Sequence, residues 1–347
     1  MINQKMILTK TPGSKAKDLR GYFELKEEKI DIDTLGEGEV WVKVLYASVD
    51  PVNRVWLAAK TYIDQVKPGD VMKAFGLGQI VNSNNKKFKI GSIVGGILEW
   101  QQYLKINPAK TRLTIIPFND YPNLSYFTSV LGINGFTAYF GLKEIGKPKP
   151  GETLVVSTAA GATGSIVCSL GKIWGCRVIG IAGADEKCEY VKKVLGADEC
   201  INYKTTKDMR AALKKCCPKG IDVYFDNVGE ETLDAVLTEI NIGARIILCG
   251  ATSTYLDFHG AKGLSWVAAV ISKRATMQGL NFGIYKDKFP DALIELMGYI
   301  DEGKLRYNET IMNGLKEAPS ALQLLFDGKN IGKIVVKVGD PMEASKL

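Results

Sequence analysis

Residues 153–164 read Thr-Leu-Val-Val-Ser-Thr-Ala-Ala-Gly-Ala-Thr-Gly. The first six form an apolar, β-branched run of the kind found in buried strands. The last six, Ala159 to Gly164, have the shape G-x-G-x-x-G with alanine at the first position. A helix-like stretch, Ser165 to Trp174, follows. Gly161 would let the backbone approach a pyrophosphate, and Gly164 would let helix and strand pack closely. The helix N-terminus would present unpaired N–H groups and a positive dipole end. Alone the pattern is weak. Between a strand and a helix it predicts a dinucleotide-binding loop of Gly161, Ala162, Thr163 and Gly164.

Downstream, the run Arg177–Ala182 reads as a second strand. Glu186 to Leu195 then places Cys188, Val191, Val194 and Leu195 on one helical face. Further apolar strands are expected at Asp222–Asp226 and Arg245–Cys249. Strands alternating with helices imply a parallel sheet with crossover connections, the α/β doubly wound plan. Upstream the pattern differs. Residues 1–125 are β-rich, with a strand at Val40–Tyr46 and glycine breaks at Gly69, Gly76, Gly78, Gly91, Gly95 and Gly96. Asp50-Pro51 resembles a helix start, an acidic cap followed by proline. This stretch predicts a compact barrel-like domain. The last segment, 305–347, holds a helix (Glu317 to Asp327) and a strand (Lys333 to Val338) but no further βα repeat, so it should return to the first domain.

At 347 residues and 46% hydrophobic content, the chain suits two domains and needs no disulfide or metal to stabilise its core. No apolar run reaches membrane-spanning length, and Met1 to Asp18 lacks a signal-peptide core, so a soluble, non-secreted chain is expected. The seven cysteines all lie between Cys168 and Cys249. Without CxxC spacing they read as buried free thiols of a reducing compartment. The net charge of +7 is spread among acids. With no block of like charges, no nucleic-acid partner is expected, and a mild basic excess equally suits an anionic small ligand.

The second strand bears on which dinucleotide is bound. NAD enzymes place an acid at its end to bond the ribose hydroxyls. Here the strand ends at Gly183, and Asp185 and Glu186 come late. A small residue at that position removes repulsion of a 2′-phosphate. Lys187 and Tyr203 could contact that phosphate, which favours NADP; the alternative for Lys187 is an ordinary solvated lysine.

Several chemistries are excluded. The one histidine, His259, lies in a polar, glycine-flanked stretch, and no G-x-S-x-G elbow exists for a triad. Residues 1–167 contain neither Cys nor His, so the ligands of a catalytic zinc are missing and no metal is expected. Hydride transfer without metal remains, with the protein orienting substrate and stabilising an oxyanion. Reduction of an enone fits: charge builds on the carbonyl oxygen and a hydroxyl donor stabilises the enolate. Tyrosine is the natural donor, but composition does not choose among 14 tyrosines.

Further segments sharpen this reading. Ser48-Val-Asp-Pro51 with Arg54, Gly135-Phe-Thr-Ala-Tyr-Phe-Gly141, the Ala159–Gly164 loop, Gly183-Ala-Asp-Glu-Lys187 and Asn202-Tyr203-Lys204 are one group. Tyr224-Phe-Asp-Asn-Val-Gly229, Cys249-Gly-Ala-Thr-Ser-Thr-Tyr255 and Asn330-Ile-Gly-Lys333 are another. In this order they resemble the leukotriene/prostaglandin reductase and plant alkenal double-bond reductase branch of the medium-chain dehydrogenase/reductases, from about residue 40 to 338. The resemblance implies a medium-chain dehydrogenase/reductase fold: a GroES-like β-barrel domain, 1–129 and 305–347, split around a Rossmann domain, 130–304. It also implies NADPH and a homodimer. It gives Tyr255 the oxyanion-donor role and Tyr62 a second substrate-facing role. It places Cys249, Ser253, Asn227, Leu280 to Phe282 and Asn330 against the cofactor. The chain departs from the family where Val52 and Asn53 follow Asp-Pro and over residues 256–275, both expected to line the substrate pocket. Substrate identity is therefore the least transferable feature.

The chain ends Ser345-Lys346-Leu347, a receptor-read peroxisomal address after a polar tail. A peroxisomal location through the import receptor is expected, with the cytoplasm as the alternative. The expected substrate is an enal or enone. The alternatives are a quinone, reduced by the same zinc-free site, and a dinucleotide-binding protein without turnover.

Overall fold

The computed structural model describes residues 1–13, 16–61, 63–111, 113–118, 120–255 and 263–343. Tyr62, His259 and Ser345-Lys346-Leu347 lie outside the described residues. The chain divides into two units: Met1–Ser129 with Glu309–Asn330 and Ile334–Leu347, and Val130–Asn308 with Ile331–Lys333. The return begins at 309, not 305, and three residues of the returning segment sit with the second unit.

In the first unit β1 (Ile2–Leu8) pairs antiparallel with β2 (Phe23–Lys29). Strand β3 (Val40–Val49) leads into the short helix α1 (Val52–Ala58), followed by β4 (Lys73–Ser83), β5 (Ile93–Glu99), β6 (Tyr103–Ile106) and β7 (Leu113–Ile115). Pro51 enters α1 with helical dihedrals, φ −56° and ψ −30°. Asn53 Oδ1 accepts the Asp50 N–H at 2.8 Å, the returning bond of a capping box, and the Asp50 carboxylate accepts from Ser48 Oγ.

The second unit opens with α2 (Ile133–Phe140), which continues into a π-helical turn at Gly141–Gly146. Then β8 (Thr153–Ser157), α3 (Ala162–Ile173), β9 (Arg177–Ala182), α4 (Asp185–Glu189), β10 (Glu199–Asn202) and α5 (Met209–Cys216) alternate. Asp208 caps α5, its carboxylate accepting from Ala211 N at 3.0 Å. After β11 (Ile221–Asp226) come α6 (Glu230–Leu237), β12 (Ile240–Leu248), α7 (Val267–Ser272), β13 (Thr276–Gly279) and α8 (Phe289–Asp301). The six strands form a parallel sheet in the order β10-β9-β8-β11-β12-β13. The chain winds outward from β8 on one side and then, from β11, on the other. That reversal opens a crevice at the C-terminal ends of β8 and β11, where open parallel sheets bind ligands.

The chain then returns through β14 (Glu309–Asn313), α9 (Ala318–Phe326) and β15 (Lys333–Lys337). Strand β15 pairs antiparallel with β3, within a seven-stranded sheet ordered β14-β15-β3-β4-β5-β7 with β6 also on β3. The ten residues of β3 serve three neighbours: β6 pairs with Val40–Lys43 and β15 with Tyr46–Val49, while β4 pairs along the strand with register shifts. Trp56, Leu57, Met72 and Trp100 fill the core beneath, with Leu322 of α9 and Ile334 of β15.

All five residues of β8 are buried, as are Val223, Tyr224 and Phe225 of β11. Between α2 and α8, Tyr139 and Lys143 share the Glu295 carboxylate. Burial and then that carboxylate push the Tyr139 phenol up to about 12. Tyr139 and Lys143 stand one helical turn apart and are tied through Glu295 to α8.

The wholly buried Phe225 is the central ring of β11. Phe225→Ala should destabilise the second unit by about 3–5 kcal/mol, read as an earlier midpoint in urea; an unmoved midpoint would contradict this packing.

Candidate functional site

The crevice is built around the turn from β8 to α3. Thr158 leaves the strand with φ 54°, and its carbonyl accepts the Gly161 N–H at 2.9 Å. The chain then doubles back so tightly that a Cβ on Gly164 would lie 2.2 Å from the Thr158 oxygen. Only glycine fits there. Gly161 is the N-cap of α3, and no side chain caps the helix. Its first N–H groups, at Ala162, Thr163 and Gly164, are therefore left for an anion.

The returning segment clips this loop in place. Gly332 N–H donates to Ala160 O at 2.7 Å, and Gly161 and Gly332 form a parallel bridge. Gly332 has φ +73°, and a Cβ there would lie 2.0 Å from the Asn308 oxygen. Asn330, two residues earlier, is buried within the first unit.

On the β9 side, Ala182 ends the strand and accepts the Tyr203 N–H at 3.0 Å. The Tyr203 ring lies against Gly183, so close that a Cβ there would meet Cε1 at 2.9 Å. Tyr203 is 50% exposed. Lys187 stands on α4. Burial and then the charge of Lys204 pull its ammonium below the usual lysine value. Asp185, the first acid after β9, is taken up by Asn202 Nδ2 at 2.7 Å. Two mutually repelling lysines, with the acid drawn aside, form a site that gains from a dianion. Lys204 was singled out only as part of a motif; its nearness to Lys187 is a through-space fact.

On the β11 side, Asp226 organises the turn. Its Oδ1 accepts from Tyr224 Oη at 2.8 Å, from Val228 N and Gly229 N at 3.0 Å each, and from Ser157 Oγ at 3.3 Å. Burial still raises its carboxyl above the usual range. Asn227 Nδ2 donates to Ser157 O at 2.7 Å, fastening β11 to β8. Its Oδ1 and second amide proton remain for a ligand. The loop after β12 is laid on this turn. Cys249 N and Gly250 N donate to Asp226 O, Thr252 Oγ1 to Asn227 O and Ser253 Oγ to Val228 O. The hydroxyl of Ser253 is thus already used inside the protein. Burial pushes the Cys249 thiol up to about 12, so it stays protonated.

Tyr255 closes the loop. Its Oη accepts from Ala251 N at 3.4 Å and lies over Gly250. Burial raises its phenol above the usual value, so it remains a proton donor across the physiological range. Leu280 N donates to Leu248 O at 2.9 Å, and Phe282 stacks on Phe289 with centroids 5.9 Å apart. The structure thus brings Gly161–Gly164, Asn227, Cys249, Ser253 and Tyr255 to the C-terminal ends of neighbouring strands, with Lys187 following β9 and Tyr203 following β10. Among the described residues no group of three or more His, Cys, Asp or Glu side chains is arranged to hold a metal ion.

The tight glycine cradle, the uncapped helix and the lysine pair fit a dinucleotide that carries an extra phosphate. Lys187, Lys204 and Tyr203 would hold that phosphate, and the N–H groups of α3 the pyrophosphate. One residue that sequence reasoning passed over also faces the loop: Asn134, whose Nδ2 donates to Thr163 Oγ1 at 3.1 Å.

Comparison with known proteins agrees with this geometry. Residues 162–298 match the family described as zinc-binding dehydrogenase, and residues 4–114 the N-terminal domain of oxidoreductase. The chain is 41% identical to the NADP(+)-dependent 2-alkenal reductase of Nicotiana tabacum, over 87% of this chain and 88% of that protein. It is 39% identical to prostaglandin reductase 1 of Mus musculus, over 91% and 94% respectively. The structure of CurA from Vibrio vulnificus in complex with NADPH superposes with a TM-score of 0.89 at 37% identity, covering 97% of this chain and 100% of that one. By fold, loop and these relatives, the chain belongs to the zinc-independent reductases of the medium-chain dehydrogenase/reductase family.

Proposed function

We propose that this protein reduces the C=C bond of α,β-unsaturated aldehydes and ketones with NADPH. The observation that carries the proposal is the pairing, in one crevice, of an uncapped phosphate cradle with a tyrosine that burial keeps protonated. The relatives named 2-alkenal reductase and prostaglandin reductase 1, and the NADPH complex of CurA, support it.

When bound, NADPH supplies a hydride for the β-carbon of the enone. The protein's own residues do the rest. The α3 N-terminus and Lys187 hold the phosphates. Asn227 Oδ1 and the backbone near Leu280 and Phe282 orient the nicotinamide end, and Asn330 adds a contact from the returning segment. Negative charge builds on the substrate carbonyl oxygen, and Tyr255 Oη–H donates to it, stabilising the enolate. A proton taken up at the α-carbon completes the saturated carbonyl. Tyr62 is assigned a second contact to the substrate.

The working assembly is a homodimer. Strand β13 is the outer edge of the parallel sheet, and the exposed apolar side chains Trp266, Val267 and Ile271 lie beside it in sequence. The cellular location is the peroxisome, through Ser345-Lys346-Leu347.

NADPH oxidation should be fast with enals and enones, and the products should be saturated carbonyls. Quinol products would assign the site to quinones, and NADPH binding without turnover would make this a binding protein. Tyr255→Phe should lower kcat about 10–100-fold and leave the NADPH Kd nearly unchanged; full turnover by that variant would remove the donor role. Lys187→Ala should raise the KM for NADPH about tenfold or more while NADH kinetics stay the same, and an equal effect on both cofactors would refute the phosphate contact. A fluorescent reporter carrying the last ten residues of this chain should enter peroxisomes in a cell; diffuse cytosolic signal would rule that address out.

A further inference from the structure

Asn134 stands in the first turn of α2 and is 7% exposed. Its Nδ2 donates to Thr163 Oγ1, and its Oδ1 is buried with no hydrogen-bond partner among the described residues. A buried amide oxygen left without a donor is costly, and few are found in folded proteins. It marks a place where a ligand or water supplies the missing donor.

The chemistry of the pair narrows what that ligand group is. Thr163 is the second residue of α3, on the phosphate loop. A hydroxyl has one proton and two lone pairs. Asn134 Nδ2 occupies a lone pair, so the Thr163 proton is free to point at a phosphate oxygen. Asn134 Oδ1 can only accept. Phosphate oxygens would repel it, whereas an O–H beside the pyrophosphate would satisfy it. In a dinucleotide that description fits a ribose hydroxyl.

The packing of α2 says which ribose. The turn that continues α2 lies on β11 and β12: Gly141 backs onto Phe225 and Leu280, and Gly146 onto Ile247 and Val223. Phe140 stacks on Tyr285 with centroids 5.1 Å apart. Lys187 and Tyr203 belong to the opposite side of β8, with β9 and β10. Asn134 therefore faces the half of the crevice away from the 2′-phosphate. We propose that Asn134 is a binding residue for the nicotinamide-side ribose of NADPH, and that it also turns the Thr163 hydroxyl toward the pyrophosphate.

This inference rests on the loop being an NADPH site, which binding of NADPH by the unaltered protein tests separately. The experiment measures Kd by calorimetry for NADPH and for 2′,5′-ADP, which lacks the nicotinamide half. Asn134→Leu keeps the volume and removes both polar atoms. It should weaken NADPH about tenfold and change 2′,5′-ADP by less than about twofold. Asn134→Ser takes the same measurements if the leucine variant does not fold. Thr163→Val should weaken NADPH as well, and the double variant should lose less than the two single losses multiplied, because the side chains act as a pair. An unchanged NADPH affinity, or equal losses for both ligands, would overturn the assignment and leave Asn134 as a packing residue.

Discussion

The passage from Thr158 to Gly164 is the constraint on which the second unit depends. The Thr158 carbonyl both accepts the Gly161 N–H and fills the space where any side chain at position 164 would stand. The loop has no slack, so α3 starts at one fixed point over the mouth of the sheet. No side chain satisfies its first amides. A helix left that way carries a partial positive charge at its end. The lysine pair along β9 adds to this field, whereas the β11 side offers neutral donors and acceptors. The two ends of the crevice thus suit the two ends of a phosphorylated dinucleotide, one ionic and one hydrogen-bonding.

The returning segment shows how a distant part of the chain can belong to this loop. Residues 331–333 are few, yet the Gly332 N–H donates to Ala160 O, and the left-handed backbone at Gly332 lets Lys333 N reach Asn308 O at 2.8 Å. A side chain at 332 would collide with the Asn308 carbonyl. The motif around Asn330 is therefore tied to the loop by backbone geometry before any ligand contact is considered.

What could be read from the sequence was whatever is encoded locally. The strand β8, its small-residue turn and the following helix are contiguous, and the alternation downstream gave the parallel sheet. The missing acid after β9 was legible because it is a matter of position in a known plan. The helix start at Asp50-Pro51 was legible because its signal is local: Pro51 takes up helical dihedrals at once, and Asn53, three residues on, returns a bond to the Asp50 N–H. Lys204 and Asn134 carried no local signal. One matters through its nearness to Lys187, the other through an amide that meets a hydroxyl 29 residues away. Contacts of that kind exist only once the sheet and its covering helices have formed.

Asp226 shows that the turn beneath Tyr255 is set by geometry at some expense of stability. Its carboxyl has a raised folded pKa, with burial the largest cause and four hydrogen bonds opposing it. The sign follows from linkage. The folded protein holds the proton at pH values where the unfolded chain has released it, so this group favours folding most at low pH. That contribution is lost as pH rises through the folded value. At neutral pH an ionised Asp226 would therefore oppose folding of its own surroundings. Its Oδ2 is also buried without a partner among the described residues. A leucine-like side chain would avoid both costs, yet it could not gather Tyr224, Val228, Gly229 and Ser157 onto one oxygen. Those bonds fix where the carbonyls of 226–228 point, and these carbonyls in turn hold the loop that ends at Tyr255. The phenol's position is thus inherited from a buried carboxyl at the end of the neighbouring strand, through backbone and hydroxyl bonds to the carbonyls of 226–228.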